Sequence, residues 1–173
     1  MLRVTDQVRR SDTGRRRSEN EDSSYVRVPL FMIADGMGGA QAGEVASRIA
    51  VETFQEGMPD GPDPVGERLA AVIAEANRRV YDAAAADDGL AGMGTTCTAD
   101  DHSLVGELVR RGQLTDEEAE AHPQRSIITR ALGPEAEVEV DRMTFAAQDG
   151  DLYLLCSDGL TDMLPDARIA EIL

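Results

Sequence analysis

The stretch Leu30-Phe31-Met32-Ile33-Ala34-Asp35-Gly36-Met37-Gly38-Gly39 decides how this chain folds. A short apolar run ends in a carboxylate and glycines follow, which is typical of a buried strand that ends in a turn. The pattern returns near the end of the chain in Leu152-Tyr153-Leu154-Leu155-Cys156-Ser157-Asp158-Gly159. Two such strands would bring Asp35 and Asp158 to one edge of a core, where their repulsion favours a hard divalent cation. Taken alone, each Asp-Gly pair is also explained as a plain turn.

The composition limits the class of protein. A chain of 173 residues with 42% hydrophobic residues is long enough for one domain with a real core. Its net charge of −16 argues against nucleic-acid binding, which needs a basic surface. All 17 basic residues are Arg. The absence of Lys excludes a P-loop and a Schiff-base mechanism.

The two cysteines, Cys97 and Cys156, form no Cys-x-x-Cys pair, and each is typical of a small buried hydrophobe in a reducing compartment. The chain starts without an apolar signal region and contains no apolar run long enough to cross a membrane. We therefore predict a cytoplasmic protein without a membrane segment, and we expect a monomer.

A cluster of arginines followed by acids lies upstream of the first apolar run, in Ser11-Asp12-Thr13-Gly14-Arg15-Arg16-Arg17-Ser18-Glu19-Asn20-Glu21-Asp22. One interpretation is a solvated loop whose charges pair with one another. In the other, Arg17 offers a planar two-pronged donor to a phosphate, while Glu21 and Asp22 serve a cation. The spacing leaves both interpretations open.

Periodicity and turn residues predict the remaining elements. A Gly-rich loop over 89–96 leads into a strand that stops within about five residues, before Asp100, and is therefore at the short limit for a sheet. The other predicted elements are helices over about 41–56, over about 65–86 and from Ala167, strands over 2–8 and 138–146, and a helix capping box at Thr115–Glu118.

Six motifs, in order and spread over nearly the whole chain, resemble those of bacterial metal-dependent type 2C serine/threonine protein phosphatases. They are Ser11-Asp12-x-Gly14-x-x-Arg17-x-x-Asn20-Glu21-Asp22, Ala34-Asp35-Gly36-Met37-Gly38-Gly39-x-x-x-Gly43-Glu44-x-Ala46-Ser47, Gly92-Met93-Gly94-Thr95-Thr96, Asp101-His102-Ser103-Leu104-Val105, His122-Pro123-Gln124-Arg125-Ser126 with Thr129-Arg130-Ala131-Leu132-Gly133, and Cys156-Ser157-Asp158-Gly159-Leu160-x-Asp162.

The resemblance implies an α+β fold: a four-layer α-β-β-α sandwich of two antiparallel sheets flanked by helix pairs, as one domain over 1–173. It also implies a binuclear Mn²⁺ or Mg²⁺ centre at one end of the sheets. The segment over about 103–133 is similar to the flap that shapes substrate access in bacterial members. Expected partners are phosphoproteins, the targets of bacterial Ser/Thr kinases.

The resemblance also assigns roles to residues. Asp35 would bridge both metals, with the carbonyl of Gly36 on one of them, and Asp158 would bind the other. Glu21 would act through a water, with Asp22 as its companion acid. The remaining catalytic residue, Arg17, would hold the substrate phosphate while an activated water attacks the phosphorus directly.

Two departures from the family pattern are visible. Core strands with a Gly-Asp-Ser-Arg segment are missing between Ala99 and Asp100, and the C-terminal region with an Asp-Asn metal motif is missing after Leu173. We therefore expect an incomplete sandwich with an unpaired edge that promotes aggregation. The alternative function is a catalytically impaired phosphatase-like binding module. A phosphoacceptor receiver domain is disfavoured because Lys is absent and βα alternation is weak.

Overall fold

The structure, a computed structural model, describes residues 3–15, 18–38, 42–97, 113, 115, 118, 131–142, 144 and 146–173. Its elements in chain order are β1 (Asp22–Arg27), β2 (Leu30–Met37), α1 (Ala42–Gln55), α2 (Val65–Ala86), a 3₁₀ turn (Asp88–Leu90), β3 (Gly94–Thr95), α3 (Asp158–Thr161) and α4 (Asp166–Ile172). The strands form one antiparallel sheet in the order β1-β2-β3.

The first two strands form a hairpin, of which the sequence predicted β2 but not β1. Strand β2 confirms the predicted apolar strand, and its burial alternates along the strand as one buried face requires. Strand β1 was missed because Asp22, Ser23 and Ser24 make its first half polar. Its signal was the Tyr25-Val26 pair, which favours a strand, just before the turn at Val28 and Pro29.

Helices α1 and α2 confirm the helices predicted over 41–56 and 65–86. Their apolar faces pack with β2 into one buried cluster of Met32, Ala34, Ala50, Val51, Phe54, Val72, Ile73, Ala76 and Leu132. The alanines in this cluster let the helix and strand backbones approach closely, since they add little volume to the interface. The core therefore lies on one face of the sheet and fixes α1 against the ends of β1 and β2.

Other local predictions are also confirmed. Helix α4 corresponds to the helix predicted from Ala167. The predicted capping box forms reciprocally: the Thr115 backbone N–H donates to Glu118 Oε2 at 2.9 Å, and the Glu118 N–H donates to Thr115 Oγ1 at 3.2 Å. Strand β3 is only two residues long, and it lies at the end of the stretch 89–96 that was predicted as a loop leading into a short strand. Apart from residues 113, 115, 118 and 131–133, the predicted flap lies outside the described residues.

Three predicted strands are wrong within the part of the chain that the structure describes. None of the described residues of 2–8, 138–146 and 152–156 belongs to a strand. The apolar side chains of Leu152, Tyr153 and Leu154 are instead 46–62% exposed. An apolar run becomes a strand only if a neighbouring strand accepts and donates its backbone hydrogen bonds. No described strand provides such a neighbour for these three segments. The aggregation expected from an unpaired edge stays a prediction.

No helix among the described residues has the length and apolar character needed to cross a membrane.

A buried amide holds the segment 131–137 against α2. Asn77 is 1% exposed, and its Nδ2 donates to the carbonyls of Glu135 and Ala136, each at 3.1 Å. Its Oδ1 accepts from the Gly133 N–H at 2.8 Å. Gly133 has φ +106°, and a Cβ there would lie 2.4 Å from Val80 Cγ1, so only glycine fits. Asn77 therefore anchors the end of the predicted flap to the core.

Replacing Asn77 by Leu is expected to destabilise the protein by about 2–4 kcal/mol, because buried backbone groups lose their partners. Thermal unfolding would record a fall in Tm of roughly 5–15 °C. The control is Arg78→Leu at the next position, which removes only surface ion pairs to Glu75 and Asp82 and is expected to leave Tm nearly unchanged. Equal losses in the two variants would contradict the anchoring role.

Candidate active site

The hairpin brings two acids together at one end of the sheet. Asp22 at the start of β1 lies directly opposite Asp35 near the end of β2. Side chains of directly opposite residues lie on the same face of an antiparallel pair with their Cβ atoms about 4.5–5.5 Å apart. One step beyond, the Gly36 N–H donates to the Glu21 carbonyl at 3.1 Å. The hairpin register therefore sets the geometry of this acidic pair.

The C-terminal segment adds a third acid. Ser157 Oγ donates to Asp22 Oδ2 at 2.6 Å, and Asp158 begins α3 immediately afterwards. The carboxyl of Asp158 lies close enough to Asp35 to share a hydrogen bond with it. The prediction that Asp35 and Asp158 lie close together is thus correct, although the run before Asp158 is not a strand.

Burial and like charge act together on Asp35. Burial, followed by the negative charges of Asp22 and Asp158 and the hydrogen bonds of both carboxyls, raises the pKa of Asp35 to about 7. The three carboxylates repel one another, so a cation placed among them would be attracted strongly.

Hydrogen bonds from Thr95 and Thr96 fix the end of β2. The Asp35 N–H donates to Thr96 Oγ1 at 3.1 Å, and the Asp35 carbonyl accepts from the Thr96 N–H at 2.9 Å and from Thr95 Oγ1 at 3.0 Å. Thr95 is fully buried. Both threonines belong to one of the six family motifs, but no role was predicted for them. Their signal was the Gly94-Thr95-Thr96 triplet itself.

The structure brings some of the predicted site residues together and does not describe all of them. Asp22, Asp35 and Asp158 are brought together, and Gly36 lies next to them in the register. Glu21 immediately precedes β1, and its carbonyl is bonded into the hairpin. Arg17 lies outside the described residues.

The donors fit a hard divalent cation, but their arrangement is incomplete. Carboxylate and carbonyl oxygens are the ligands that Mg²⁺ and similar cations prefer. Within the described residues, no group of three or more His, Cys, Asp or Glu side chains forms a complete ligand set around one ion. The carboxylates of Asp22, Asp35 and Asp158 nevertheless interact, so the donor chemistry is present while the closed geometry is not.

An antiparallel sheet flanked by helices, with carboxylates at one end, defines an α+β protein with an acidic site suited to divalent cations. A sequence profile of the protein phosphatase 2C family matches residues 15–105. The serine/threonine phosphatase Stp of Listeria innocua serovar 6a is 36% identical over 204 residues, which cover 95% of this chain and 81% of that protein. This chain belongs to the protein phosphatase 2C family, which confirms the assignment that the six motifs predicted.

Solved structures of serine/threonine phosphatases are also similar to this chain. The crystal structure of the Mycobacterium tuberculosis serine/threonine phosphatase PstP/Ppp matches with a TM-score of 0.84 and 37% identity, covering 94% of this chain and 82% of that one. The catalytic domain of a serine/threonine protein phosphatase PstP, crystallised with two manganese ions, matches with a TM-score of 0.77 and 33% identity, covering 94% and 81%.

The alignment with the Listeria phosphatase spans 204 positions, which exceeds the 173 residues of this chain. The relative therefore carries residues inside the matched region that this chain lacks. This agrees with the internal shortening expected from the sequence, although it does not place the gap after Ala99.

Proposed function

We propose that this chain hydrolyses phosphoserine and phosphothreonine in proteins, using a water activated by two divalent cations. The observation that carries the proposal is the convergence of Asp22, Asp35 and Asp158 at one end of the sheet in a chain of this family. Mutual repulsion among these carboxylates supplies the attraction for Mn²⁺ or Mg²⁺.

In this proposal Asp35 would bind both cations, while Asp158 and the Gly36 carbonyl would each bind one of them. Glu21, with Asp22 as its companion acid, would act through water. When bound, such a pair of cations lowers the pKa of a shared water so that a nucleophile is available near neutral pH. Arg17 holds the phosphate and offsets the charge that develops on its equatorial oxygens.

Cysteine chemistry is a poor alternative for the same reaction. Burial raises the pKa of the Cys97 thiol to about 12. Burial, with the charge of Asp166 added, also raises the pKa of Cys156. The thiolate is the nucleophilic form, so neither thiol is activated for attack on phosphorus.

The finer expectations belong to the same proposal. We expect one type 2C domain over 1–173 with an incomplete four-layer sandwich, a flap at about 103–133 that shapes access, and core strands missing after residue 99. We also expect phosphoproteins made by bacterial Ser/Thr kinases as substrates, a monomer, and a cytoplasmic location. The antiparallel sheet and its paired helices α1 and α2 support the first of these.

The test is hydrolysis of a phosphothreonine peptide. Activity is expected with Mn²⁺, is expected to fall to background with excess EDTA, and is expected to return when Mn²⁺ is restored, because the acids alone have no cation to activate water. Phosphate release measures it, and Cys156→Ser is the matched control that should keep full activity. Chelator-insensitive hydrolysis, or loss of activity in Cys156→Ser, would contradict the metal-dependent mechanism.

A second candidate function, a binding module without turnover, is favoured by the incomplete ligand set among the described residues. It would bind phosphopeptide but take up Mn²⁺ only weakly. Isothermal titration with Mn²⁺ separates the two functions. Two tight sites favour the phosphatase, whereas weak binding together with absent turnover favours the module.

A further inference from the structure

A buried hydroxyl on α1 contacts the backbone beside the acidic cluster. Ser47 is fully buried, and its Oγ lies 2.6 Å from the Glu21 carbonyl, 3.1 Å from Ser23 Oγ and 3.2 Å from the Glu44 carbonyl. A hydroxyl donates one proton, so the shortest of these contacts takes it, and Ser23 Oγ–H can donate to Ser47 in return. Ser47 thus links α1 to the residue just before β1.

The Glu21 carbonyl is shared between α1 and β2. It accepts from Ser47 Oγ and also from the Gly36 N–H at 3.1 Å. Its peptide unit leads directly into Asp22, whose partner across the hairpin is Asp35. Rotation of this one peptide unit would therefore turn Asp22 relative to Asp35, and the second hydrogen bond from Ser47 resists that rotation.

Glycines let α1 come close enough for this bond. A Cβ on Gly36 would lie 2.1 Å from the Gly43 carbonyl oxygen, and a Cβ on Gly43 would lie 2.9 Å from the Gly36 carbonyl carbon. The first turns of α1 therefore rest on the backbone that carries Asp35. At this short distance, the Ser47 hydroxyl on α1 can donate a hydrogen bond to the Glu21 carbonyl.

We infer that Ser47 is a positioning residue for the acidic cluster: it sets the orientation of Asp22 through the Glu21 peptide and so tunes cation affinity. The inference rests on the proposed function. It assigns Ser47 no contact with substrate or cation.

Thr53 provides a matched control on the same helix. It is 3% exposed, and its Oγ1 donates to the Ile49 carbonyl at 2.8 Å within α1. Ser47→Ala and Thr53→Val each remove one buried hydroxyl from α1, but only the first removes a bond to the hairpin. A purely structural role would give both variants the same behaviour toward Mn²⁺.

The experiment measures Mn²⁺ affinity by isothermal titration, at a temperature at which circular dichroism shows the variants folded, together with KM and kcat on a phosphothreonine peptide. Outer partners of metal ligands typically change metal affinity by about 10–100-fold, and we expect a loss in that range for Ser47→Ala. We expect kcat at fixed Mn²⁺ to fall while KM for the peptide stays constant. Thr53→Val should bind Mn²⁺ as the unchanged chain does.

Unchanged Mn²⁺ affinity in Ser47→Ala, or equal losses in both variants, would overturn the inference and leave the proposed function standing. A Ser47→Ala chain that does not fold while Thr53→Val does would assign the hydroxyl to folding and also overturn it. Absence of Mn²⁺ binding by the unchanged chain would overturn the proposed function and this inference together.

Discussion

Replacing Asp35 by Asn is expected to lower Mn²⁺-dependent hydrolysis by roughly 10³-fold and, at the same time, to stabilise the metal-free protein at pH 8. Both effects have one cause, the crowding of Asp22 and Asp158 around the Asp35 carboxyl. The negative charge of Asp35 that would attract a cation is the same charge that burial and the two neighbouring acids disfavour in the metal-free protein. Asn keeps the size of the side chain and removes this charge.

The pH dependence has a definite sign. Burial and the neighbouring acids raise the pKa of Asp35 from 3.8 to about 7 in the folded protein, so folding favours its protonated form. The resulting stability is fully present below about pH 4 and is lost as the pH rises through 7. A rise of this size in pKa corresponds to about 4 kcal/mol, and solvent screening of a partly exposed carboxyl reduces it to about 1–2 kcal/mol.

Thermal unfolding in EDTA at pH 5 and pH 8, repeated with Mn²⁺, measures both effects. Metal-free Asp35→Asn should melt several degrees above the unchanged chain at pH 8, with a smaller difference at pH 5, and Mn²⁺ should stabilise only the unchanged chain. Asp60→Asn is the control, since Asp60 is exposed in the connection between α1 and α2. A metal-free variant less stable than the unchanged chain at pH 8 would refute the crowding of these acids.

Elements whose signal is local were predicted well from the sequence. Helices α1 and α2 each carry their own hydrogen bonds, so the spacing of apolar residues such as Ala46, Ala50 and Phe54 was sufficient to locate them. Strand β2 was predicted correctly because a short continuous apolar run followed by turn residues indicates a buried strand.

Strands depend on their neighbours, and here sequence reasoning failed in both directions. Polar β1 was missed, although its partner β2 is one turn away. The apolar run Leu152–Cys156 was predicted to be buried, yet much of it is exposed because no described strand pairs with it. The hydrophobic pattern of a segment indicates that it could be buried as a strand. It does not show whether a neighbouring strand is available to pair with it.

The candidate site was predicted better than the sheet around it. Asp22, Asp35 and Asp158 converge although the run before Asp158 does not form a strand. The bond from Ser157 Oγ to Asp22 Oδ2 explains this, since it joins the C-terminal segment to β1 independently of any strand pairing. Ser157, Thr95 and Ser47 stand in the same motifs as the acids, but the hydrogen bonds through which they position the site are visible only in the three-dimensional arrangement.

The largest stability loss is expected for Gly36→Ala. A Cβ at this position would lie 2.1 Å from the Gly43 carbonyl oxygen and 2.6 Å from the Glu21 carbonyl oxygen. Both atoms are backbone, held by α1 on one side and by the hairpin on the other, so neither moves without shifting a whole element. We expect a loss of more than about 4 kcal/mol, a large part of the total stability of an ordinary domain.

Soluble yield and urea unfolding measure this prediction, and Gly66→Ala is the matched control. Gly66 lies in the first turn of α2, where an added Cβ would be 3.7 Å from Arg142 Cδ, an ordinary contact. Alanine there should stabilise the protein by about 0.5–1 kcal/mol, because the unfolded chain loses conformational freedom. The same one-carbon change thus has opposite signs at the two sites. A soluble Gly36→Ala chain with an unchanged urea midpoint would show that α1 does not rest on the strand that carries Asp35, and the proposed positioning of the acidic cluster would then lose its structural basis.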